Sequence, residues 1–450
     1  MRTRFSWILA VAVLVSAAVM LACSTNYSSS SNGLVVVSTQ TDYVMDSFSL
    51  TLGNGHITQI YNQAGPPTDG VPTALVLDPA GSFAYVIVNK STYVNDSTTG
   101  VESFPVQSNG KVGSGTNKTL NPSTTGTAQC VVTVNNQPVT ENLSVTVNAP
   151  VVPTAIAIDS AGKLLFVADT ATTAQATYTC NGATVTATAQ VPGAVSVFTV
   201  SNGSLSEVAG SPFALSQQNG NTVLTATPSA SALAVTPTVF PASYSLCSGN
   251  VPPTTESLYV TDSNNYLVLN YSVSSAGALT LVTENSTGTV PSGVTVDPCN
   301  RFVFVSNSQP DNTISAFTIC NRVILPTCTA GNYSLIPVSG SPFLAGGNSP
   351  GPLMMDAYAN FLYVLDTGQT SISVFKVGTT TGALVPATPA NVATQSFPTS
   401  MAIRSDDTWM FVTNFNSSTL SEYSITPATG VLTPQTPVQT DPLPWGVAVK

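Results

Sequence analysis

Charge is what this sequence has least of. Only 7% of its 450 residues are charged, 11 lysines and arginines against 21 acids, with a single histidine and a net charge of −10. That balance excludes a nucleic-acid partner, because phosphate backbones are held by basic patches. It also weighs against an anionic substrate, since few cations are present to hold one. Glu, Lys and Arg are scarce, so the residues that favour exposed helices are missing. The cysteines show no Cys-x-x-Cys spacing and histidine is nearly absent, which argues against a zinc site. The apolar run from Trp7 to Ala22 is too short to span a bilayer comfortably.

What is present is a β-rich, turn-rich mixture. Hydrophobic residues make up 43%, with 31 Gly and 32 Pro, and Val, Thr, Ser and Asn fill much of the rest. One short phrase recurs. A proline opens it, alternating apolar residues follow, then a turn, then an aromatic-Val-x-Asn/Asp strand. The openings stand at Pro72, Pro153, Pro228, Pro291, Pro350, Pro398 and Pro444, with Pro228 two residues early. The second half reads Phe166-Val167-Ala168-Asp169, Tyr259-Val260-Thr261-Asp262, Phe304-Val305-Ser306-Asn307, Tyr363-Val364-Leu365-Asp366 and Phe411-Val412-Thr413-Asn414. Repeats of several short strands predict a propeller. Proline has no N–H for a central ladder, so it belongs at a strand's start. The C-terminal copy stops after Lys450, and Gly33–Tyr61 supplies the strands it lacks. The expected fold is therefore all-β: a seven-bladed β-propeller closed by pairing of N-terminal strands with the C-terminal one.

The domain reading is a lipoprotein-type signal over residues 1–22, a Ser/Asn tether over 23–32 and one propeller over 33–450, its shared blade built from 33–61 and 441–450. Arg2 and Arg4 precede the apolar run, which ends Met20-Leu21-Ala22-Cys23-Ser24 and is similar to a lipobox. Cys23 is the expected lipid attachment site, with ordinary signal-peptidase cleavage as the alternative. The protein is expected to be exported to the periplasm or cell surface, outer-membrane anchored, touching membrane through its lipid alone, and monomeric. Insertions are expected near 113–150, 171–191 and 237–255. Six cysteines remain in an oxidising compartment. Their positions on the blades suggest Cys130–Cys180, Cys247–Cys299 and Cys320–Cys328.

These phrases resemble those of the seven-bladed lactonase-family and YVTN-type propellers, as do Gly210-Ser211-Pro212-Phe213 and Gly340-Ser341-Pro342-Phe343. The resemblance covers nearly everything after the tether. It implies the fold, and it brings in 6-phosphogluconolactonases and other proteins acting on lactones. The family's site looks like a His/Arg/Glu group at the channel mouth. Here the lone His56 falls after a rim turn, and Arg301, Arg322 and Arg404 map to turns on the opposite face, with only Lys90 directed at the mouth.

Strand ends bring Asp169, Asp262, Asn307, Asp366 and Asn414 toward that mouth, with Asn89 nearby and Asp42 and Asp311 in adjoining loops. Read functionally, they form a polar ligand site, with Ca²⁺ as a conceivable guest of Asp169, Asp262 and Asp366. Read structurally, each bonds its own turn. The leading expectation is a binding or scaffold module at the cell envelope, taking an envelope protein, a carbohydrate or a small molecule on the propeller face. The alternative is a lactone hydrolase with a carboxylate site among those three aspartates. No cofactor other than Ca²⁺ is expected.

Overall fold

The computed structural model describes residues 33–51, 53–60, 65–90, 99–121, 125–134, 137–215, 226–237, 256–320 and 333–450. These form β-strands and turns, with no helix among the described residues. Among the described residues seven antiparallel sheets share one order, a leading strand at one edge followed outward by three more. In the sheet led by Pro153 a hairpin intervenes in the chain before the third strand, and Pro444–Val449 is followed by strands of residues 33–59. The leading strands are Val71–Leu77, Pro153–Ile158, Ala230–Val235, Pro291–Val296, Pro350–Met355, Pro398–Ile403 and Pro444–Val449. Each packs on the next in chain order, and Pro444–Val449 packs on Val71–Leu77. Pro444–Val449 also pairs antiparallel with Gly33–Thr39, Val35 opposite Val449 and Val37 opposite Val447. This is propeller construction from repeated four-stranded sheets.

The second strand of each sheet is covered on both faces, which is why Leu164–Asp169, Phe302–Asn307 and Trp409–Asn414 read as nearly continuous apolar runs. The core lies between sheets. Phe302, Phe304 and Ile314 of one meet Leu362, Val364 and Phe375 of the next. Each such side chain stabilises by about 1.5–3 kcal/mol when fully buried.

Three local devices explain the repeated phrase. An aspartate ending the leading strand caps the turn that follows: Asp159 Oδ1 accepts from the amides of Lys163 (2.6 Å) and Leu164 (3.0 Å), and Asp356 Oδ1 does the same for Asn360 and Phe361. A glycine in the turn between third and fourth strands lets neighbouring sheets touch. Gly430 has φ +69°, and a Cβ there would overlap the Phe361 ring of the preceding sheet. Finally, the serine of each Gly-Ser-Pro-Phe segment accepts a third-strand amide, Ser211 from Val197 at 3.0 Å and Ser341 from Ala316 at 2.9 Å.

Two excursions, Thr125–Thr146 and Thr172–Val191, each fold into a hairpin, and the hairpins join through Gln190 opposite Thr127. Thr116–Thr119 is the outer strand of the Val71–Leu77 sheet, so the first excursion begins later than residue 113. Cys130 and Cys180 bridge the two hairpins. Cys299 and Cys320 are also disulfide-bonded; their expected partners, Cys247 and Cys328, lie outside the described residues, as do Cys23, Arg322 and most of 237–255.

Candidate functional site

The leading strands surround a central channel of about 290 Å³. Its wall is made of hydroxyls and apolar groups, with no ionisable side chain. Most of these hydroxyls come from the residue after a leading strand's first, Thr154, Ser231, Ser292 and Thr399, whereas Gly351 stands there in the Pro350–Met355 strand. A bulge there leaves the first residue's carbonyl out of its own ladder, and the preceding sheet supplies a donor. Thr154 Oγ1 donates to Ala230 O (3.3 Å), Ser231 Oγ to Pro291 O (2.6 Å) and Ser292 Oγ to Pro350 O (2.6 Å). At the equivalent place in the last sheet stands Trp445, which cannot make this bond. The side-chain amide of Gln40 makes it instead, donating to Pro72 O at 2.9 Å.

The strand-end residues singled out from the sequence do not converge. Asn414 is buried, its Nδ2 donating to Ser421 Oγ (2.9 Å) and its Oδ1 accepting from the Gln395 amide (3.1 Å). Asn307 Nδ2 donates to Thr313 Oγ1 and Ser315 Oγ, both at 3.0 Å. Asp262 is saturated: Oδ1 accepts from the amides of Ser229 (2.9 Å), Asn264 (3.1 Å) and Asn265 (3.3 Å), and Oδ2 from the Asn265 side chain (2.8 Å). Asp366 Oδ2 accepts from Ser371 (2.9 Å) and Ser373 (2.7 Å), and burial raises its carboxyl to about 6. Asn89 Nδ2 lies 3.4 Å from Thr73 Oγ1. Asp311 accepts from the Thr289 amide at 2.7 Å, and Asp42 sits exposed in a turn. Each serves its own turn or incoming loop. Among the described residues no three His, Cys, Asp or Glu side chains gather where a metal could sit, so Asp169, Asp262 and Asp366 do not form one Ca²⁺ site.

Asp169 departs from this pattern. In four other sheets the residue three places before the leading proline donates its amide to a side chain of the second or third strand: Asp69 to Glu102 (2.6 Å), Gly288 to Ser315 (3.2 Å), Gln395 to Asn414, and Asp441 to Asp46 (3.2 Å). Before Pro153 that residue is Pro150, which has no N–H. The third strand opens with a hydroxyl in the sheets of Asn307, Asp366 and Asn414, but with Ala194 here. Asp169 is 7% exposed and its Oδ1 has no hydrogen-bond partner; nor has the nearby Ser196 Oγ. Burial without donors raises the carboxyl to about 7.

The chain continues from Asp169 into the wall of a crevice of about 540 Å³, lined by Ala171, Thr172, Thr173 and Gln190 on one side and Ala226, Thr227 and Asn264 on the other. A second, of about 740 Å³, shares Gln190 and runs under the joined hairpins past Gln129, Asn142 and Tyr178. Among the described residues neither is lined by a charged side chain. Lys90 is exposed beyond Asn89. The described arginines serve the scaffold: Arg301 is buried against Asp297 at 2.6 Å and Arg404 pairs with Asp406.

His56 is exposed on the rim, its Nδ1 3.2 Å from Thr58 Oγ1. It shares a crevice of about 350 Å³ with Glu422, a buried carboxyl raised to about 7 by desolvation. Glu422, Asp46 and Glu102 escaped attention in the sequence. The signal was there, since each places an acid in an otherwise apolar or hydroxylic third strand.

Residues 331–449 match the family model described as lactonase, 7-bladed beta-propeller. No curated protein matches the chain. Among solved structures, a candidate 6-phosphogluconolactonase from Bacteroides fragilis superposes with a TM-score of 0.61 at 14% identity, covering 94% of this chain and 99% of that one. The periplasmic gluconolactonase of Pseudomonas aeruginosa gives 0.60 at 16% identity, covering 93% and 98%. A functionally unknown protein from Desulfotomaculum acetoxidans gives 0.56 at 14%, covering 93% and 98%. At such identities the likeness shows fold alone. The chain is thus similar in fold to these proteins over nearly its whole length, and in sequence to the lactonase propellers over residues 331–449.

Proposed function

We propose that this chain is a seven-bladed lactonase-type propeller that hydrolyses uncharged lactones, with Asp169 as the base that takes a proton from the attacking water. The blade count and ring closure draw support from the unbroken succession of leading strands and the pairing of Val35 with Val449. The carrying observation is Asp169, a buried carboxylate with no donor on Oδ1 and a pKa near neutrality, where a general base works best. Asp262, held by four donors, is a poor proton acceptor by comparison.

In the reaction, water attacks the lactone carbonyl as its proton passes to Asp169. The oxyanion draws a hydrogen bond from the Gln190 side-chain amide, which lines both crevices, as does the Thr227 hydroxyl. Collapse breaks the ring C–O bond, and the proton returns to the leaving oxygen to give the hydroxy acid. The uncharged crevices favour a neutral lactone over a phosphorylated one. We place the protein in an oxidising compartment, on the Cys130–Cys180 bridge and the signal-like leader, with Cys23 as its lipid anchor.

The binding-module reading keeps one observation in its favour, the wide neutral groove beneath the joined hairpins. An initial-rate panel separates the two: D-glucono-1,5-lactone, its 6-phosphate and an acyl homoserine lactone, each with Ca²⁺ and with EDTA. The hydrolase reading expects turnover of a neutral lactone above background, weaker on the phosphate and indifferent to EDTA. Background rates on all three would overturn it and leave the binding module. Activity lost in EDTA and restored by Ca²⁺ would favour a metal.

A further inference from the structure

We propose that Phe397, Phe415 and Trp445, the last of which lines the channel, form a stacking platform for the apolar face of a neutral pyranose ring. This goes beyond the lactonase reading, because the channel shares no lining residue with the two crevices beside Asp169, and its binding test does not depend on turnover.

The platform joins three segments. The Phe397 and Phe415 rings lie 5.8 Å apart at 56°, and Trp445 meets Phe415 edge-on at 5.4 Å and 86°. The Phe415 amide donates to Phe397 O at 2.9 Å. The Trp445 carbonyl is clamped by the hydroxyls of Thr399 and Thr413, both at 2.9 Å. The rings are therefore fixed from behind, yet Phe397 remains 45% exposed. Its positive φ, +57°, recurs at Val290 (+49°), Ser349 (+50°) and Leu443 (+57°) in equivalent turns, so the backbone there belongs to the scaffold and the aromatic ring is the local addition.

Trp445 is the sharper sign. It replaces a hydroxyl that bonds the next sheet in the Thr154, Ser231 and Ser292 positions, and Gln40 takes over the lost bond. A repeat that gives up its own bonding group and repairs the loss from elsewhere indicates a demand other than folding. The channel beside Trp445 offers Thr73, Thr399 and Ser400, carries no charge, and holds about 290 Å³. That is just under the roughly 300–1,000 Å³ of sites for drug-sized ligands, so it suits one ring rather than an extended chain. Aromatic faces with neutral hydrogen-bonding groups match a sugar's C–H face and hydroxyls, and the absence of cations disfavours a sugar phosphate. The ring could come from a free sugar or lactone, or from the end of a polysaccharide.

Calorimetric titration of the full protein with methyl β-glucoside, methyl β-galactoside, methyl α-mannoside, maltotriose and glucose 6-phosphate tests this. We expect saturable binding of a neutral sugar, at least tenfold weaker in Trp445→Ala, within a few-fold of wild type in Trp445→Phe, and weak or absent for the phosphate. Should Trp445→Ala fail to fold, Phe397→Ala at the exposed ring takes its place. Equal affinity for a monosaccharide and maltotriose indicates a free ring, and tighter maltotriose a chain end. No saturable binding of any neutral sugar, or binding unchanged in Trp445→Ala, overturns the platform. Sugar binding by the wild type without turnover of any lactone would count against the hydrolase alone.

Discussion

Ser306 donates its hydroxyl to the carbonyl of Gly351, in the next sheet, at 2.6 Å. The third residue of the repeated phrase is thus a rivet between neighbours, as Thr413 is to Trp445. Ser306→Ala leaves that carbonyl unbonded in a buried place. We expect a loss of about 1–3 kcal/mol, seen as a lowered midpoint in thermal or urea unfolding, with kcat unchanged. An unaltered midpoint would mean that water takes the hydroxyl's place.

Glycines at sheet contacts differ from those in open turns. Gly430 combines φ +69° with the Phe361 ring in its path, whereas Gly182, at φ +77°, has open space around it. Gly182→Ala carries backbone strain alone, about 1–2 kcal/mol. Gly430→Ala adds overpacking, typically about 1–3 kcal/mol. Thermal denaturation of both variants should rank them in that order, and the reverse order would refute the interlocking of sheets through this turn.

Stability and activity should respond to pH in opposite directions. Burial raises Glu102 to about 8, Asp169, Glu256, Asp356 and Glu422 to about 7, and Asp366 to about 6, from 4.5 or 3.8. Between pH ~4 and ~7 the folded chain keeps protons that the unfolded chain has released, so stability falls as pH rises. The melting temperature should decline steadily from about pH 4 toward about pH 8. If Asp169 is the base, kcat/KM rises over the same range with an inflection near 7. A melting temperature climbing from pH 5 to 7 would contradict the burial of these acids.

The Cys130–Cys180 bridge closes a 50-residue separation and joins the two hairpins. On the chain-entropy model such a loop is worth roughly 4 kcal/mol, and often less in practice. The Cys130→Ser, Cys180→Ser double variant should lose hairpin protection first. Hydrogen exchange should quicken over 125–146 and 172–191 before the leading strands respond. Uniformly faster exchange would tie the hairpins to the propeller core.

Strand order was legible in the sequence because proline can stand only at the start of a central strand and because the second strands, covered on both faces, are plainly apolar. The aspartates and asparagines closing those strands were legible as a set, and their two readings were separable only by counting donors. Asp169 became distinct from Asn414 because of Pro150 and Ala194, which stand where Gln395 and Thr419 bond Asn414 and whose register with Asp169 follows from sheet pairing. The aromatic group of Phe397, Phe415 and Trp445 was hidden for the same reason, since two turns of one sheet and the leading strand of the next must meet before it exists. The joining of two hairpins into one sheet likewise rests on a contact between insertions in separate loops.

The most direct measurement is kcat/KM on a neutral lactone for wild type and Asp169→Asn, with near-UV circular dichroism confirming the fold of both. We expect the variant to fall by at least about a hundredfold, the scale of lost general-base catalysis, and to lose the inflection near pH 7. Rates within a few-fold of wild type across that range would contradict Asp169 as the base.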